Sequence, residues 1–552
     1  MNRHGTRAAD DFGPERPREV DAAPLRRRAV LSPFDANAGR DARFHTGGVM
    51  KVYLIGAGPG DPGLLTLKGK EILERADVVV YDFLANDAFL AYAKPDAEII
   101  YVGKKGGDHT LSQDGINRLI IEKAKEGKVV ARLKGGDPYM FGRGGEEAEE
   151  LLDAGVPFEE VPGVTSAIAG PAYAGIPLTH RSYASSVSFI TGHENPDKPD
   201  SAHNWQALAA GTSTLVFFMG MKNLPDISRK LIAAGMSPDK PAALVRWGTT
   251  PRHRSLVATI ATLPEEAVKH GFSNPSLIVV GDVVRLRDRL NWFEHKPLLG
   301  KGVVVTRARE QASGLAAALR ELGADVIQFP TIDIHPLDDY APVHEAIRAL
   351  DTYDWVVFTS VNGVKHFWNQ LAALGLDSRA LGGRKVAAIG PATADALRDK
   401  GIAPDFIPEK YVAEGVVEGM LARGMGGKRV LLPRALEARE VLPEELRKAG
   451  ATVDVLPVYV TVPSAARRDD VLARMEAGEV HCVTFGSSST VENFFSLVPA
   501  DTVKAHPEVK LACIGPVTKK TLEGFGFTCH IQPDDYTIPA LVDELTRVLP
   551  EL

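Results

Sequence analysis

The second half of the chain repeats itself, and this repeat limits the folds that it can adopt. Residues 303–330 match residues 430–457, with Arg307 and Arg434 in equivalent positions 127 residues apart. The segments "VVFTSVNGVKHFW" and "VTFGSSSTVENFF" match at the same offset, and two segments that contain "IGP" match at an offset of 125 residues. Segments that keep their order and nearly keep their spacing are typical of a duplicated α/β lobe. Two such lobes would enclose a cleft, where ligands usually bind.

The 552 residues exceed what one hydrophobic core usually serves, so we expect more than one domain. From Met50, predicted strands alternate with predicted helices, which indicates an α/β fold. This pattern ends near residue 291, where a segment with Pro and Gly and no periodicity begins. We predict a first domain over residues 50–291, a linker over 292–301 and a second domain over 302–552.

Residues 1–49 contain nine Arg, no Lys and seven acidic residues, without a long apolar stretch. A secretory signal needs an apolar region, and a transit peptide is poor in acids. We therefore expect a disordered tail, or a misassigned start, because Met50 directly precedes the first predicted strand.

The composition excludes several classes of protein. The net charge of −7 argues against an extended nucleic-acid surface, and no apolar run is long enough to span a membrane. The three cysteines lack metal-ligand spacing, so we expect reduced thiols, no metal site and a cytoplasmic location.

Three loops rich in small residues follow predicted strands: "GAGPGDPG", "KGGDP" and "PGVTSAIAGP". The first is not a dinucleotide fingerprint, because Asp61 takes the place of the third glycine. It is not a phosphate-binding loop either, since Glu71 replaces the magnesium-binding hydroxyl. Each loop alone is an ordinary turn, but three together could pack backbone against a flat ligand.

These loops, with "VVVYDFL", "VGKKGG", "FFMGMKNL" and "RWGTTPRHR", resemble the tetrapyrrole methyltransferase family over roughly residues 50–290, and within it the uroporphyrinogen-III C-methyltransferases. The resemblance implies a fold of two α/β subdomains, S-adenosylmethionine as methyl donor and a homodimer formed through this domain. It implies Asp82 as proton acceptor and Lys104 as proton donor. It places the cofactor against Pro59, Gly135, Gly136, Asp137, Met140, Thr165, Ser166, Met219 and Gly248.

The tetrapyrrole substrate of that family is rich in carboxylates. Candidates to receive them are Lys104, Lys105, Arg143 and Arg181. For each of these side chains, an ordinary charge that faces solvent remains the alternative.

The second half resembles the uroporphyrinogen-III synthase family through "VVFTSVNGV", "VAAIGPATADAL", "LLPRALEARE", "LPVYVTV", "VTFGSSSTVENFF" and "ACIGPVTKKTL". The resemblance implies two α/β lobes with parallel sheets and a double crossover. One lobe would contain residues 302–332 and 461–552, and the other residues 333–460. Tyr459 matches the tyrosine that this family places over the cleft, where it could donate a proton; an aromatic that packs at a hinge is the alternative.

Four hydroxyl side chains lie near predicted helix starts or strand ends in the second half. Helix N-termini with hydroxyls suit carboxylates, so we predict that these residues bind substrate; simple N-caps are the alternative. They are Ser360, Thr393, Ser487 and Thr518.

Together the two resemblances imply a bifunctional enzyme without nucleic-acid or membrane partners. The second domain would cyclise hydroxymethylbilane to uroporphyrinogen III, and the first would methylate it at C-2 and C-7 to precorrin-2, a precursor of sirohaem and of cobalamin. The alternatives are methylation of a later precorrin, a regulator that only binds S-adenosylmethionine, and a second domain that binds a ligand without catalysis.

Overall fold

The computed structural model describes residues 51–103, 111–193, 203–306, 313–464 and 467–551. The tail predicted over residues 1–49 lies outside them. Among the described helices, none combines the length and the apolar character that a bilayer crossing requires.

The first sheet lies at the start of the described chain. Its strands are β1 (Lys51–Gly56), β2 (Val78–Tyr81), β3 (Glu98–Tyr101), β4 (Val129–Lys134) and β5 (Phe158–Val161). They are all parallel, in the order β3-β2-β4-β1-β5. The helices are α1 (Leu67–Leu73), α2 (Gln113–Lys125), α3 (Gly144–Asp153) and α4 (Ser166–Tyr173), with 3-10 helices at Pro62–Leu64 and Asp87–Tyr92.

Strand β1 is buried on both faces, as expected for a parallel strand covered by helices. Val52 and Leu54 pack in one apolar cluster, whereas Tyr53 and Ile55 pack in another, because successive side chains point to opposite faces of a sheet. Since β4, β1 and β5 are neighbours, their carboxyl ends bring the three loops of small residues together.

A second sheet follows. Its strands are β6 (Val187–Thr191), β7 (Thr214–Phe218), β8 (Pro241–Arg246), β9 (Arg254–Thr259) and β10 (Ser276–Val280), in the order β6-β7-β10-β8-β9. Only β6 and β7 are parallel; the other pairs are antiparallel. The helices are α5 (Trp205–Gly211), α6 (Leu224–Ala233), α7 (Leu263–Lys269) and α8 (Arg287–Leu290), with 3-10 helices at Met221–Asn223 and Asp282–Leu286. We call β1 to α8 the first module.

The segment after α8 has no helix or strand until residue 302, but it is packed at both ends. Trp292 donates a hydrogen bond of 3.3 Å from Nε1 to the carbonyl of Ala172, and Phe293 packs against Tyr173. Leu298 is fully buried in an apolar cluster of the following sheet. The predicted linker is therefore fixed to the elements on either side of it.

The remaining elements form the second module, β11 to α19. Its strands are β11 (Gly302–Val305), β12 (Asp325–Gln328), β13 (Ile332–His335), β14 (Trp355–Phe358), β15 (Lys385–Ala388), β16 (Arg429–Ala435), β17 (Thr452–Pro463), β18 (Cys482–Phe485) and β19 (Lys510–Cys513). Its helices are α9 (Ser313–Glu321), α10 (Ala341–Arg348), α11 (Val361–Ala373), α12 (Pro391–Asp399), α13 (Ala413–Leu421), α14 (Val441–Lys448), α15 (Arg468–Glu476), α16 (Ser488–Leu497), α17 (Ala500–Lys504), α18 (Pro516–Gly524) and α19 (Ile538–Val548). Short 3-10 helices lie at Leu350–Thr352, Ser378–Leu381 and Leu549–Glu551.

These strands form two sheets, with the orders β12-β11-β18-β19 and β13-β17-β16-β14-β15. All neighbours are parallel except β13 and β17. The chain passes between the sheets after β12 and again after β17. The predicted α/β fold with parallel sheets and a double crossover is confirmed.

The sequence repeat corresponds to a structural one. Gly390 and Gly515 are the N-caps of α12 and α18. A Cβ built on Gly390 would lie 3.2 Å from Tyr411 Cβ, and a Cβ built on Gly515 would lie 3.2 Å from Tyr536 Cγ. These tyrosines are 125 residues apart, the offset of the "IGP" segments. Each lobe therefore places an exposed tyrosine over the start of the equivalent helix, α12 or α18.

Candidate functional site

A cavity of about 1550 Å³ opens where the carboxyl ends of the first sheet face the second sheet. All nine residues predicted to contact the cofactor line it: Pro59, Gly135, Gly136, Asp137, Met140, Thr165, Ser166, Met219 and Gly248. Asp82 and Arg143 also line it. The cavity exceeds the usual size of a small-molecule site, so it has room for two ligands side by side.

Glycine backbone forms one wall of the cavity. Gly58 and Gly136 exchange two backbone hydrogen bonds, of 3.1 and 2.8 Å, which join the loop after β1 to the loop after β4. A Cβ on Gly56 would lie 2.4 Å from Gly163 Cα, and a Cβ on Gly163 would lie 2.3 Å from the Gly136 carbonyl oxygen. Side chains at Gly56 or Gly163 would force these loops apart.

Gly136 differs from its neighbours because the space beside it is open. Its φ is +71°, a value that favours glycine, and a built Cβ meets nothing closer than 3.8 Å. A side chain there would point into the cavity. The residues therefore fit a ligand that packs directly against backbone.

Backbone strain is concentrated around this cavity. Among the described residues, six non-glycine residues have positive φ, and five of them line the cavity. They are Phe141, Arg143, Met219, Trp247 and Arg467, and the sixth is Thr249. Such conformations cost energy and persist where the surrounding structure imposes them, which is common at functional sites.

A chain of charges runs from the cavity wall, which Asp82 and Lys134 line, to the buried residues Arg132 and Glu147 behind it. Arg132 donates from Nη2 to Oδ2 of Asp82 at 3.1 Å, and Lys134 donates from Nζ to Oε1 of Glu147 at 2.6 Å. Glu147 and Arg132 are 1% and 3% exposed. Burial, together with the positive charge of Arg132, lowers the pKa of Lys134. Of the two β4 cations, Arg132 therefore holds Asp82, whereas Lys134 is paired with Glu147.

The predicted substrate cations fall in different places. Arg143 lies at the cavity rim, exposed and paired with Glu146 through hydrogen bonds of 3.0 and 3.1 Å from Nε. Arg181 is exposed and lies outside the cavity lining. Lys104 and Lys105 lie outside the described residues. The roles of all four stay predictions.

Tyr459 lies in β17 beside the bulge in its pairing with β16. Its side chain is 6% exposed, its hydroxyl lies 3.2 Å from Ser360 Oγ, and its ring stacks on His366. Burial raises the pKa of Tyr459, although the bond to Ser360 opposes this shift. The hydroxyl therefore stays protonated at neutral pH and can donate a hydrogen bond.

Ser360 and Ser487 occupy equivalent positions as N-caps of α11 and α16. Their hydroxyls accept from Gly363 N–H at 2.9 Å and from Thr490 N–H at 3.4 Å. Thr393 and Thr518 are each 4% exposed and lie at the third residue of α12 and α18. The alternative that they are N-caps is wrong for these two threonines, because Gly390 and Gly515 hold that position.

Two protein-family models match the chain. The tetrapyrrole (corrin/porphyrin) methylases match residues 51–264, and uroporphyrinogen-III synthase HemD matches residues 313–543. A porphyrin biosynthesis protein HemD of Ruminiclostridium josui is 38% identical over 502 residues, which cover 90% of this chain and 98% of that protein. The chain belongs to this family of methylase–synthase fusions.

Two further relatives match the methylase part of the fusion. A uroporphyrinogen-III C-methyltransferase of Bacillus subtilis (strain 168) is 52% identical over 244 residues, 44% of this chain and 95% of that protein. A crystal structure of uroporphyrin-III C-methyl transferase from Thermus thermophilus, complexed with S-adenyl homocysteine, is 41% identical and covers 43% of this chain and 99% of that chain, with a TM-score of 0.37.

The site of this methylase–synthase fusion also contains residues that sequence reasoning missed. Trp247 and Arg252 line the cavity, with the Arg252 guanidinium 4.1 Å from the centre of the Trp247 ring. Arg132 and Glu147 lie behind the wall. Two cations in the otherwise apolar β4 segment were a usable signal, because charged residues in a buried strand are rare unless they are paired.

Groups of three or more potential metal ligands do not occur among the described side chains of the fusion. Of the three cysteines, Cys482 and Cys513 are buried, and burial raises the pKa of the Cys482 thiol.

Proposed function

We propose that the chain is a bifunctional enzyme of tetrapyrrole biosynthesis. The second module cyclises hydroxymethylbilane to uroporphyrinogen III with inversion of ring D, and the first module methylates this product at C-2 and C-7 to precorrin-2. The observation that carries the proposal is the convergence of nine predicted cofactor residues on one cavity, beside Asp82. The match of two family models to successive parts of one chain supports the pairing of the two activities.

S-adenosylmethionine supplies an activated methyl group when it is bound. In the proposal, the glycine backbone of the loops after β1 and β4 holds it against Met219 and Gly248 of the opposite wall. The enzyme has to align this methyl group with a pyrrole carbon and then remove a proton. Asp82, fixed by Arg132, is the proposed proton acceptor.

In the second module, Tyr459 is the proposed proton donor as the substrate hydroxyl leaves. Its bond to Ser360 orients the phenol, and its raised pKa keeps the proton in place at neutral pH. Substrate carboxylates would be held by four hydroxyls at helix starts, those of Ser360, Thr393, Ser487 and Thr518.

One assay tests the whole proposal. The full chain is incubated with hydroxymethylbilane and S-adenosylmethionine, and products are separated by isomer and by methyl count. We expect dimethylated type III product. Only type I product would exclude synthase activity, and unmethylated type III product would exclude uroporphyrinogen III as the methylase substrate, leaving a later precorrin or a regulatory role.

We also propose a homodimer formed through the first module and a cytoplasmic location, both from the resemblance. Light scattering of the purified chain tests the first, with a monomer mass as the contrary result. Fractionation of cells that express the chain tests the second.

A further inference from the structure

The second module forms part of the wall of the cavity in the first module. Its contribution comes from α9, from the edge strand β12 and from both ends of the α15 region. The residues are Arg320, Asp325, Val326, Ile327, Gln328, Arg467 and Arg474. Three of these seven residues are arginines, although the chain as a whole is acidic.

The three arginines differ in their partners. Arg474 donates to Asp325 at 3.1 Å and lies near Asp470 and Glu479, and Arg467 pairs with Asp470 at 3.2 Å. Arg320 forms no hydrogen bond or ion pair with any residue in the described part of the chain. It is partly buried, and this desolvation lowers its pKa, against weaker opposing effects of Tyr92 and Asp325.

A desolvated cation costs folding free energy unless an opposite charge offsets it, and none of the described residues forms an ion pair with Arg320. Here the cation lies at a cavity and is close enough to Tyr92 of the first module for an electrostatic effect. The cost would be offset by an anionic group that enters the cavity. Arg467 adds a second cation at the same side, held in a strained conformation with φ +70°.

The position of this wall is fixed by contacts near the linker. Leu298 N–H donates to the Leu322 carbonyl at 3.0 Å, and Lys296 Nζ lies 3.9 Å from a carboxylate oxygen of Glu321. Leu322 lies two residues after Arg320, so its bond to Leu298 attaches the segment that carries Arg320 to the linker. The arginine therefore does not reach the cavity through a flexible loop.

We propose that the second module supplies part of the tetrapyrrole site of the first module, with Arg320 and Arg467 binding carboxylates of the substrate that is methylated. This inference rests on the proposed function. The ligand is a polycarboxylate macrocycle, which the arginine fork recognises through paired N–H donors. The first module alone would then be an incomplete methylase.

The test is steady-state methylation of supplied uroporphyrinogen III by the full chain and by Arg320→Gln. Loss of one charge-assisted hydrogen bond should raise KM about 10-fold to 100-fold, with kcat and S-adenosylmethionine affinity nearly unchanged. Arg320→Lys keeps the charge and should recover part of the loss. Arg547→Gln is the matched control, since Arg547 is an exposed arginine of α19 paired with Glu544.

The same preparations are assayed for synthase activity, which Arg320→Gln should retain. If that activity is lost, the variant is misfolded and Arg467→Gln, an exposed position, replaces it with the same expected rise in KM. A parental KM in a folded variant overturns the inference. A parent chain that transfers no methyl group refutes the proposed function instead, so the two failures are distinguishable.

Discussion

The Arg132 guanidinium and the Leu84 backbone N–H each donate a hydrogen bond of 3.1 Å to Asp82, one to each carboxylate oxygen. Arg132 is itself 3% exposed and lies 3.5 Å from Glu147. The carboxylate is therefore fixed from behind while its front borders the cavity. A group held in this way needs little reorganisation before it accepts a proton.

Replacement Asp82→Asn keeps the shape of this side chain but removes its basicity. We expect methylation to slow about 10²-fold to 10⁴-fold, the usual contribution of a general base, while S-adenosylmethionine binding stays nearly intact. Turnover assays and calorimetry measure the two quantities. Asp96→Asn, at an exposed position outside the cavity lining, is the control. Equal losses of binding and turnover would indicate a structural role for Asp82.

Gly136→Val should abolish cofactor binding, because the side chain would enter the cavity where backbone meets ligand. Gly155→Val is the control for the strain that a branched residue causes at positive φ. Gly155 has a φ of +67° at an exposed turn with nothing within 4 Å of a built Cβ. Both variants should lose about 1–3 kcal/mol of stability, but only the first should lose affinity in calorimetry. Unchanged affinity of Gly136→Val would exclude this loop from the site.

Tyr459→Phe should lower the rate of uroporphyrinogen III formation and raise the fraction of type I isomer. Hydroxymethylbilane closes spontaneously to type I, so a poorly held substrate follows that route. The loss of one hydroxyl costs about 1 kcal/mol, or roughly fivefold in rate. Isomer separation measures the effect, and methylation of supplied uroporphyrinogen III should not change.

Tyr353→Phe is the matched control for Tyr459→Phe. Tyr353 is 5% exposed and donates a hydrogen bond of 2.7 Å to Asp454 in the same lobe. It should lose stability without a change in the isomer ratio. A Tyr459→Phe variant that forms type III product at the parental rate would make Tyr459 a packing residue.

The contribution of Glu294 to the free energy of unfolding should depend on pH. Glu294 lies in the linker and binds side chains of the first module. Burial opposes its charge, but hydrogen bonds with His253, Ser255 and Asn291 and the charge of Arg287 lower the pKa of Glu294 to about 2. Because the pKa of this carboxyl is lower in the folded than in the unfolded protein, its charged form stabilises the fold at pH values above the unfolded pKa of 4.5. This stabilisation is lost as the pH falls towards 2.

Urea unfolding of Glu294→Gln against the parent, from pH 7 down to pH 2, measures this contribution. We expect a deficit on the order of 3 kcal/mol at pH 7 that shrinks below pH 4.5. Glu321→Gln is the control, because Glu321 is 87% exposed and its ion pair should contribute little. A deficit that does not depend on pH would mean that the side chain acts through packing alone.

The sequence was sufficient for the overall fold and for the convergence of the three loops of small residues on one cavity. Gly135 and Gly136 could be predicted because each lies in a loop at a strand end, and parallel order brings such loops together. Met219 and Gly248 came from motifs of a different sheet, so only the family resemblance associated them with those loops.

Arg320 could not be predicted as a cavity residue, because its place there depends on how the two modules pack against each other. Strand and helix periodicity report only the contacts within a module. Arg132 was predictable in principle, since a cation in a buried strand requires a partner, but the identity of that partner depends on the register of β2 and β4.

The packed segment after α8 acts as a very short tether. Glu294 is anchored in the first module and Leu298 in the second, and four residues of extended chain span at most about 14 Å. A tether of that length holds the edge strand β12 near the cavity at an effective concentration in the millimolar range or above. Contacts across the modules can therefore be individually weak, exchange rapidly as substrate enters and product leaves, and still be occupied most of the time.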